Sequence, residues 1–227
     1  MMSASSVLTK NKYFCAVQSI QINQHTFHLL PQKAMWWPDK KMLVISDVHL
    51  GKVTHFRKNG IQAPVGLIQQ QLEAIENLFI QFNPERFLVL GDLFHSDLNA
   101  EWPMFIALVQ KYHMIQTILI RGNHDKMPAY VLKENGIKVM LQMEESGIVF
   151  SHDLLPDCPY YVVSGHIHPS VILTGRAKQK LRLPCFYFDS NYALLPAFGN
   201  FTGLQNVETN KQAKVFAIAD NQVIAIT

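Results

Sequence analysis

The 227-residue sequence has few of the features that mark secreted or membrane proteins. It contains three cysteines, too few for a disulfide framework, so the fold must be stabilised by its hydrophobic core. Apolar runs such as residues 42–45 and 87–90 are short, whereas a membrane-spanning helix needs roughly 18 or more apolar residues. Residues 1–12 lack an apolar run of the length found in signal peptides. We therefore expect a soluble cytoplasmic protein with no membrane partner.

Charged residues are also scarce, at 16% of the chain, and the two signs nearly balance. The 20 Lys and Arg against 17 Asp and Glu leave a net charge of +3, which permits a polyanionic partner without requiring one. Hydrophobic residues make up 48%, which excludes a largely disordered chain. Because no repeat or Gly/Ser/Pro-rich linker divides the sequence, we predict a single domain over residues 1–227.

Short aliphatic runs alternate with segments of helical periodicity over the first two thirds of the chain. Apolar residues recur at helical spacing over residues 65–82, and further helices are predicted over residues 100–112 and from about Pro128. Five runs have the length of strands buried on both faces: 43–45, 87–90, 118–120, 148–150 and 161–163. The last third favours antiparallel hairpins, and residues 13–30 can add another pair. The sequence therefore predicts an α/β fold with two packed mixed sheets flanked by helices.

Histidine is the abundant exception, with ten residues, and several lie in polar segments that directly follow the five predicted strands. The segments are Ser46-Asp47-Val48-His49, Gly91-Asp92-Leu93-Phe94-His95, Arg121-Gly122-Asn123-His124-Asp125, Ser151-His152-Asp153 and Gly165-His166-Ile167-His168. In an α/β sheet the ligand crevice lies outside the carboxyl ends of the strands, so these side chains are expected to converge. Residues two apart in an extended segment point to the same side, which predicts that Asp47 and His49 face one site.

These side chains suit divalent metal ions. Carboxylate, imidazole and amide ligands together are typical of Mn²⁺, Fe²⁺ or Zn²⁺ sites, and there are more candidates than one ion needs. Two ions that share Asp92 would use all of them and would clamp a phosphoryl group. His124 then remains to protonate a leaving group, with Asp125 orienting its imidazole. The seven candidate ligands are Asp47, His49, Asp92, Asn123, His152, His166 and His168.

The ordered set of motifs closely resembles the calcineurin-like metallophosphoesterase superfamily over about residues 43–169. The resemblance implies a four-layer α/β/β/α sandwich with His124 as the catalytic histidine. It implies a first metal held by Asp47, His49, Asp92 and His168. It implies a second metal held by Asp92, Asn123, His152 and His166.

Finer features indicate a branch of the superfamily. Its protein phosphatases carry a second Asp after the Gly-Asp motif, where this sequence has His95. Gly91-Asp92-Leu93-Phe94-His95 instead resembles the branch related to the double-strand-break repair nuclease. The Ser46-Asp47-Val48-His49-Leu50-Gly51-Lys52 segment, followed by Phe56-Arg57 and Gly60, resembles the bacterial ligase-associated DNA damage response endonuclease/phosphoesterase family. This resemblance implies a nucleic-acid substrate and a DNA ligase among the partners.

Several residues near the motifs have two interpretations each. Lys52, Arg57 and Arg121 can contact substrate phosphates or form solvated basic loops. His95 can contact the substrate or cap its loop. The pair Trp36-Trp37 can stack a base, but packing under the sheet is favoured.

The function predicted from the sequence is a phosphodiesterase that uses two divalent ions, expected to be Mn²⁺, and acts on nucleic acid in DNA repair. Two alternatives remain open at this stage. One is a phosphodiesterase or pyrophosphatase of small nucleotides, and the other is a non-catalytic scaffold with the same fold.

Overall fold

The structure is a computed structural model that describes residues 17–52, 66–95, 101–175, 179–200, 202–208, 210 and 212–226. In these ranges the chain forms two β-sheets and three α-helices. None of these helices is both long enough and apolar enough to cross a membrane.

The first sheet has seven strands in chain order, and its second half is parallel. The first four strands pair antiparallel, and β4 to β7 pair in parallel. Its strands are β1 Gln18–Ile22, β2 His25–Leu30, β3 Ala34–Trp37, β4 Met42–Ser46, β5 Arg86–Leu90, β6 Gln116–Ile120 and β7 Ile137–Met140. The parallel strands are connected by the helices α1 Leu67–Phe82, α2 Glu101–Lys111 and α3 Ala129–Glu134.

The second sheet has nine strands and is mixed: β10 is parallel to both β9 and β13, β11 is parallel to β14, and the other pairs are antiparallel. Its strands are β8 Gln142–Glu145, β9 Ile148–Ser151, β10 Tyr161–Ser164, β11 Pro169–Thr174, β12 Lys180–Phe188, β13 Tyr192–Leu194, β14 Gln205–Asn206, β15 Lys214–Ala219 and β16 Gln222–Ala225. The β15–β16 hairpin extends the sheet from β12.

Three hydrophobic clusters show how these layers pack. One cluster lies between α1 to α3 and the first sheet, and includes Leu72, Phe105 and Leu132. The second lies between the two sheets, where Trp37 and Phe150 are fully buried. The third covers the outer face of the second sheet with strand and loop side chains of the described residues. Within the described residues, all three helices therefore pack against the outer face of the first sheet.

The predicted α/β class with two mixed sheets and helices is confirmed. The five strands predicted from buried runs are β4, β5, β6, β9 and β10, and the predicted helices coincide with α1, α2 and α3 to within a few residues. The tryptophans pack in the core: Trp37 lies between the sheets, and Trp36 contacts Phe82 of α1. The short strands β7, β8 and β14 were not predicted because they lack a long aliphatic run. The six-residue strand β11 was also not predicted, although it contains the run Val171-Ile172-Leu173.

Candidate metal centre

All five polar motifs begin directly after a strand, as the sequence predicted. Asp47 follows β4, Asp92 lies two residues after β5, and His152 follows β9. Because the sheets stack with these strand ends at a common edge, side chains from both sheets meet there. The structure brings six of the seven candidate ligands into two groups.

The first group consists of Asp47, His49 and His168, and one ligand atom from each lies within 4.8 Å of the others. Asp47 Oδ1 is 3.4 Å from His168 Nε2. Asp47 and His49 follow a strand of the first sheet, whereas His168 follows β10 of the second. This group therefore spans the two sheets.

The second group consists of Asp92, His152 and His166, and here too one ligand atom from each lies within 4.8 Å of the others. Asp92 Oδ1 is 3.6 Å from His152 Nε2, and His166 Nδ1 is 3.1 Å from the same His152 nitrogen. Asp92 belongs to the first sheet and both histidines to the second. Each sheet thus supplies part of each group.

Asp92 lies between the two groups. Its Oδ2 is 3.8 Å from His49 Nε2 of the first group, while Oδ1 faces His152 of the second. Oδ1 also accepts a hydrogen bond of 2.8 Å from the backbone N–H of His124. One carboxylate therefore faces both groups, which is the geometry that a shared ligand of two ions requires.

The backbone at the ligands differs from the extended conformation that the two-residue spacing predicted. Five candidate ligands have φ between 48° and 65°, in the left-handed region: Asp47, His49, Asp92, His166 and His168. The extended conformation is wrong, because the chain turns sharply at each strand end and does not continue as a strand, but Asp47 and His49 do lie in one group as predicted. Left-handed residues other than glycine cost about 1–3 kcal/mol each and cluster at functional sites.

Gly165 lets the second sheet approach the first at the centre of this site. A Cβ atom on Gly165 would lie 2.6 Å from Asp47 Oδ2 and 2.9 Å from the Leu90 carbonyl oxygen, and it would overlap Ser46 Oγ. The Asp47 carboxylate in turn accepts hydrogen bonds from the backbone N–H of His166, at 2.9 Å, and from Ser46 Oγ. Only glycine fits at this contact.

Replacement of this glycine is expected to disturb both the fold and the site. We expect Gly165→Ala to lower the free energy of unfolding by about 2–3 kcal/mol, because the added methyl group overpacks against buried backbone and the Asp47 carboxylate. Urea unfolding measures the change. Gly203→Ala is the matched control, since a Cβ there meets nothing within 4 Å. Equal stabilities of the two variants would contradict the predicted close contact.

Burial and local charge set the protonation of the ligands. Burial lowers the pKa of His49 to about 3, against the opposing charge of Asp47, so its imidazole is neutral at neutral pH. Burial alone would raise the pKa of Asp47, but the proximity of His168, 3.4 Å away, and the hydrogen bond from Ser46 outweigh it, and the pKa is lowered. A neutral imidazole and an ionised carboxylate are the forms that bind metal ions.

Several buried polar atoms of these residues have no hydrogen-bond partner among the described residues. They are Asp47 Oδ1, His168 Nε2 and both ring nitrogens of His49. A buried polar atom that is left unpaired costs roughly 1–3 kcal/mol, so such a cluster calls for a ligand. Divalent cations fit this set of carboxylate and imidazole donors.

Backbone carbonyl groups orient two of the histidines. His168 Nδ1 lies 3.0 Å from the Gly203 carbonyl oxygen, and His152 Nδ1 lies 3.1 Å from that of Leu90. The Nε2 atoms of both rings then face the carboxylates, an arrangement typical of metal-binding histidines. Nothing in the sequence indicates Gly203, because a backbone acceptor leaves no side-chain pattern.

His124 and His95 lie beside the first group. The His124 ring is 5.4 Å from that of His49, and His95 stacks on His124 at a centroid distance of 5.3 Å. Asn123 is exposed next to them, and within the described residues its side chain makes no hydrogen bond. The structure therefore brings His124 and His95 together at the site edge, with Asn123 in the same loop.

The predicted role of Asp125 as the residue that orients the His124 imidazole is not what its contacts show. Its two carboxylate oxygens accept backbone N–H groups of Gly122, at 2.9 Å, and of Phe94, at 3.2 Å. Burial raises the pKa of Asp125 to about 6, although both of these hydrogen bonds lower it. Asp125 thus connects the loops after β5 and β6, because its buried carboxylate needs the N–H groups that these loops provide.

The basic residues proposed as substrate contacts have different surroundings. Arg121 donates from Nη2 to the Met127 carbonyl oxygen at 2.6 Å, which braces the loop that follows His124. Lys52 lies near the site: burial lowers its pKa and the charge of Asp92 opposes this effect. Arg57 lies outside the described residues.

The fold and the two groups of ligands define a metallophosphoesterase, and comparison with known families agrees. Residues 40–168, more than half of the chain, match the family described as calcineurin-like phosphoesterases. The chain belongs to this family and is a hydrolase that acts on phosphoester bonds. Enzymes of the family use divalent metal ions, for which the two groups are the candidate sites.

Solved structures include one that is similar over nearly the whole chain. The nuclease MPE of Pseudomonas putida is 28% identical with a TM-score of 0.80, over 92% of this chain and all of its own. A protein of unknown function from Aquifex aeolicus is 22% identical with a TM-score of 0.39, over 56% of this chain and 78% of its own. The phosphoesterase YfcE of E. coli is 16% identical with a TM-score of 0.42, over 81% and 96%. No curated protein sequence matches the chain.

Proposed function

We propose that this protein is a phosphodiesterase that uses two divalent ions, with Mn²⁺ as the expected metal, and cleaves phosphodiester bonds in nucleic acid. The position of Asp92 between two groups of imidazole and carboxylate ligands is the observation that carries the proposal. In the proposed assignment one ion is held by Asp47, His49, Asp92 and His168. The other is held by Asp92, Asn123, His152 and His166.

The residues of the chain hold and orient the reacting groups. When bound, two divalent ions would polarise the phosphoryl group and make a water molecule acidic enough to act as the nucleophile. Gly203 and Leu90 fix the rings of His168 and His152 through their carbonyl groups, so the ligands are positioned before the substrate arrives. Such preorganisation lowers the reorganisation that binding and catalysis require.

His124 is the proposed general acid. Its backbone N–H donates to Asp92 Oδ1, its ring lies beside His49 and His95, and the residue is exposed to solvent. An imidazole there can protonate the departing oxygen, a step typically worth about 10²–10⁴ in rate. Asp125 supports it indirectly by holding the loop after β6 against the loop after β5.

Similarity to the P. putida nuclease over nearly the whole chain supports nucleic acid as the substrate class. The resemblance of the Asp47 and Asp92 motifs to the ligase-associated repair family supports the same proposal, with a role in DNA repair and a DNA ligase as a candidate partner. The mild net charge of +3 agrees with a polyanionic substrate.

The proposal is tested with the purified protein and Mn²⁺. We expect hydrolysis of bis-p-nitrophenyl phosphate and of a single-stranded oligodeoxynucleotide. We expect His124→Gln to lower kcat on both by about 10²–10³-fold while metal binding persists, because proton donation is lost and all ligands remain. Rates come from nitrophenol release and gel electrophoresis, and metal content from elemental analysis.

His113→Ala is the matched control for His124→Gln. His113 is exposed just before β6, at the amino end of that strand and so away from the ligand edge. Its replacement is expected to change neither rate nor metal content. Absence of hydrolysis by the unaltered protein with Mn²⁺, Fe²⁺ and Zn²⁺ alike would refute the enzymatic proposal.

A further inference from the structure

A narrow cavity opens beside His49 of the first ligand group. Its volume is about 10 Å³, room for about one water molecule or one oxygen atom of a larger group. The lining residues come from three parts of the chain: Val48, His49 and Lys52 after β4, Leu67 and Gln71 of α1, and Gly199, Asn200 and Thr202 after β13. The last three lie beyond the residues that match the family.

The loop after β13 is fixed against the first metal-binding motif. The backbone N–H of Phe198 donates to the Ser46 carbonyl oxygen at 2.7 Å, and that of Gly199 donates to the Asp47 carbonyl oxygen at 3.1 Å. A Cβ on Gly199 would lie 2.6 Å from the Val48 carbonyl oxygen, so glycine is needed for this approach. The position of Asn200 beside His49 is therefore set by backbone contacts.

Among the polar side chains that line the cavity, Lys52 and Asn200 can offer donors to a ligand, whereas Gln71 Nε2 and the Thr202 hydroxyl donate to the carbonyl oxygens of Val48 and Gly199. Lys33 Nζ donates to Asn200 Oδ1 at 3.4 Å, so Nδ2 is the group that this side chain can offer to a ligand. Lys52 makes no hydrogen bond or ion pair through its ammonium group within the described residues. The lining residues include no carboxylate, although Asp47 and Asp92 lie nearby. A cavity with an ammonium and an amide donor and no acidic lining favours an anionic oxygen.

We propose that Lys52 and Asn200, with Lys33 holding the Asn200 side chain, form a subsite for the phosphate that neighbours the scissile one in a polynucleotide. One oxygen of that phosphate enters the cavity while the adjacent phosphodiester lies at the metal centre. The inference rests on the proposed function and deepens it, because a small diester with one phosphate cannot use the subsite. It makes Asn200 a determinant of specificity that lies outside the family motifs.

If the subsite exists, its removal is expected to lower kcat/KM for oligonucleotides more than for small diesters. We expect Asn200→Ala to lower the ratio of kcat/KM for a single-stranded 12-mer to kcat/KM for bis-p-nitrophenyl phosphate about tenfold, as for loss of one hydrogen bond to a charged group. The loss is expected in KM of the oligonucleotide. Asn200→Asp, which keeps the shape of the side chain and adds a charge that repels phosphate, is expected to lower the ratio further.

A binding measurement provides a readout independent of hydrolysis. With EDTA present, fluorescence anisotropy of a labelled 12-mer is expected to give a weaker Kd for Asn200→Asp. For Lys52→Met the slope of log K against log salt concentration is expected to fall by roughly one, since one phosphate contact is lost. Asn206→Ala, an exposed change on β14, is the matched control and is expected to alter neither kcat/KM by more than about twofold.

The outcomes separate the two proposals. If the unaltered protein cleaves neither substrate, the proposed function fails and the subsite fails with it. The subsite alone is refuted if the unaltered protein cleaves both substrates while the Asn200 variants keep the original ratio and the original Kd. Thermal unfolding measurements verify that these variants are folded. A lowered ratio with Asn200→Ala and Asn200→Asp, and not with Asn206→Ala, supports it.

Discussion

Asp92→Asn is expected to lower kcat/KM by at least about 1000-fold, because an amide would replace the carboxylate that both metal sites share in the proposed assignment. A 1000-fold change corresponds to about 4 kcal/mol of lost transition-state stabilisation, because each tenfold change in rate corresponds to about 1.4 kcal/mol. Asparagine keeps the Oδ1 acceptor for the His124 N–H and the shape of the side chain, so the fold is expected to survive. Steady-state kinetics with Mn²⁺ and metal analysis give the rate and the number of bound ions.

Asp220→Asn is the control for this variant. Asp220 lies in the turn between β15 and β16 with φ of 48°, a conformation that asparagine tolerates. We expect its activity and metal content to equal those of the unaltered protein. If Asp92→Asn retained both full activity and two ions, Asp92 would not bridge the two groups.

Mn²⁺ is expected to raise Tm by roughly 10 °C or more relative to the protein in EDTA. At a free concentration of about 100 times Kd each site adds about 2.7 kcal/mol, and a chain of this size gains about 2–4 °C for each kcal/mol. The structural reason is that Asp47, His49 and His168 present buried atoms without hydrogen-bond partners among the described residues, and cations would satisfy them. Differential scanning calorimetry measures the shift.

Single ligand changes make this prediction specific. His152→Ala is expected to lose part of the Mn²⁺-induced shift because one of the two groups is broken, whereas His113→Ala is expected to keep all of it. The same Tm in EDTA and in Mn²⁺, with no ions found by elemental analysis, would show that the groups do not bind metal.

Much of the fold could be predicted from the sequence because the buried parallel strands have unmistakable aliphatic runs. β5 and β6 are buried along most of their length. Polar residues that follow the ends of such parallel strands must lie at one edge of the sheet. Five such motifs in order were enough to predict which side chains converge. Edge strands such as β8 and β14 could not be predicted, because their exposed positions carry polar residues and the strands therefore contain no continuous aliphatic run.

Parts of the site could not be predicted, because they depend on the backbone. The left-handed conformation at Asp47 and His168 is set by tertiary contacts, and the spacing of residues suggests extended chain instead. The carbonyl group of Gly203 that orients His168 has no sequence signal. Asp125 was assigned to His124 because the two are adjacent, but its buried carboxylate is used by backbone N–H groups.

Because each group of ligands takes side chains from both sheets, neither half of the polypeptide can assemble the centre by itself. A break at the Ser146-Gly147 turn between β8 and β9 would leave Asp47, His49 and Asp92 on one fragment and His152, His166 and His168 on the other. Catalysis would then report reassociation of the two fragments.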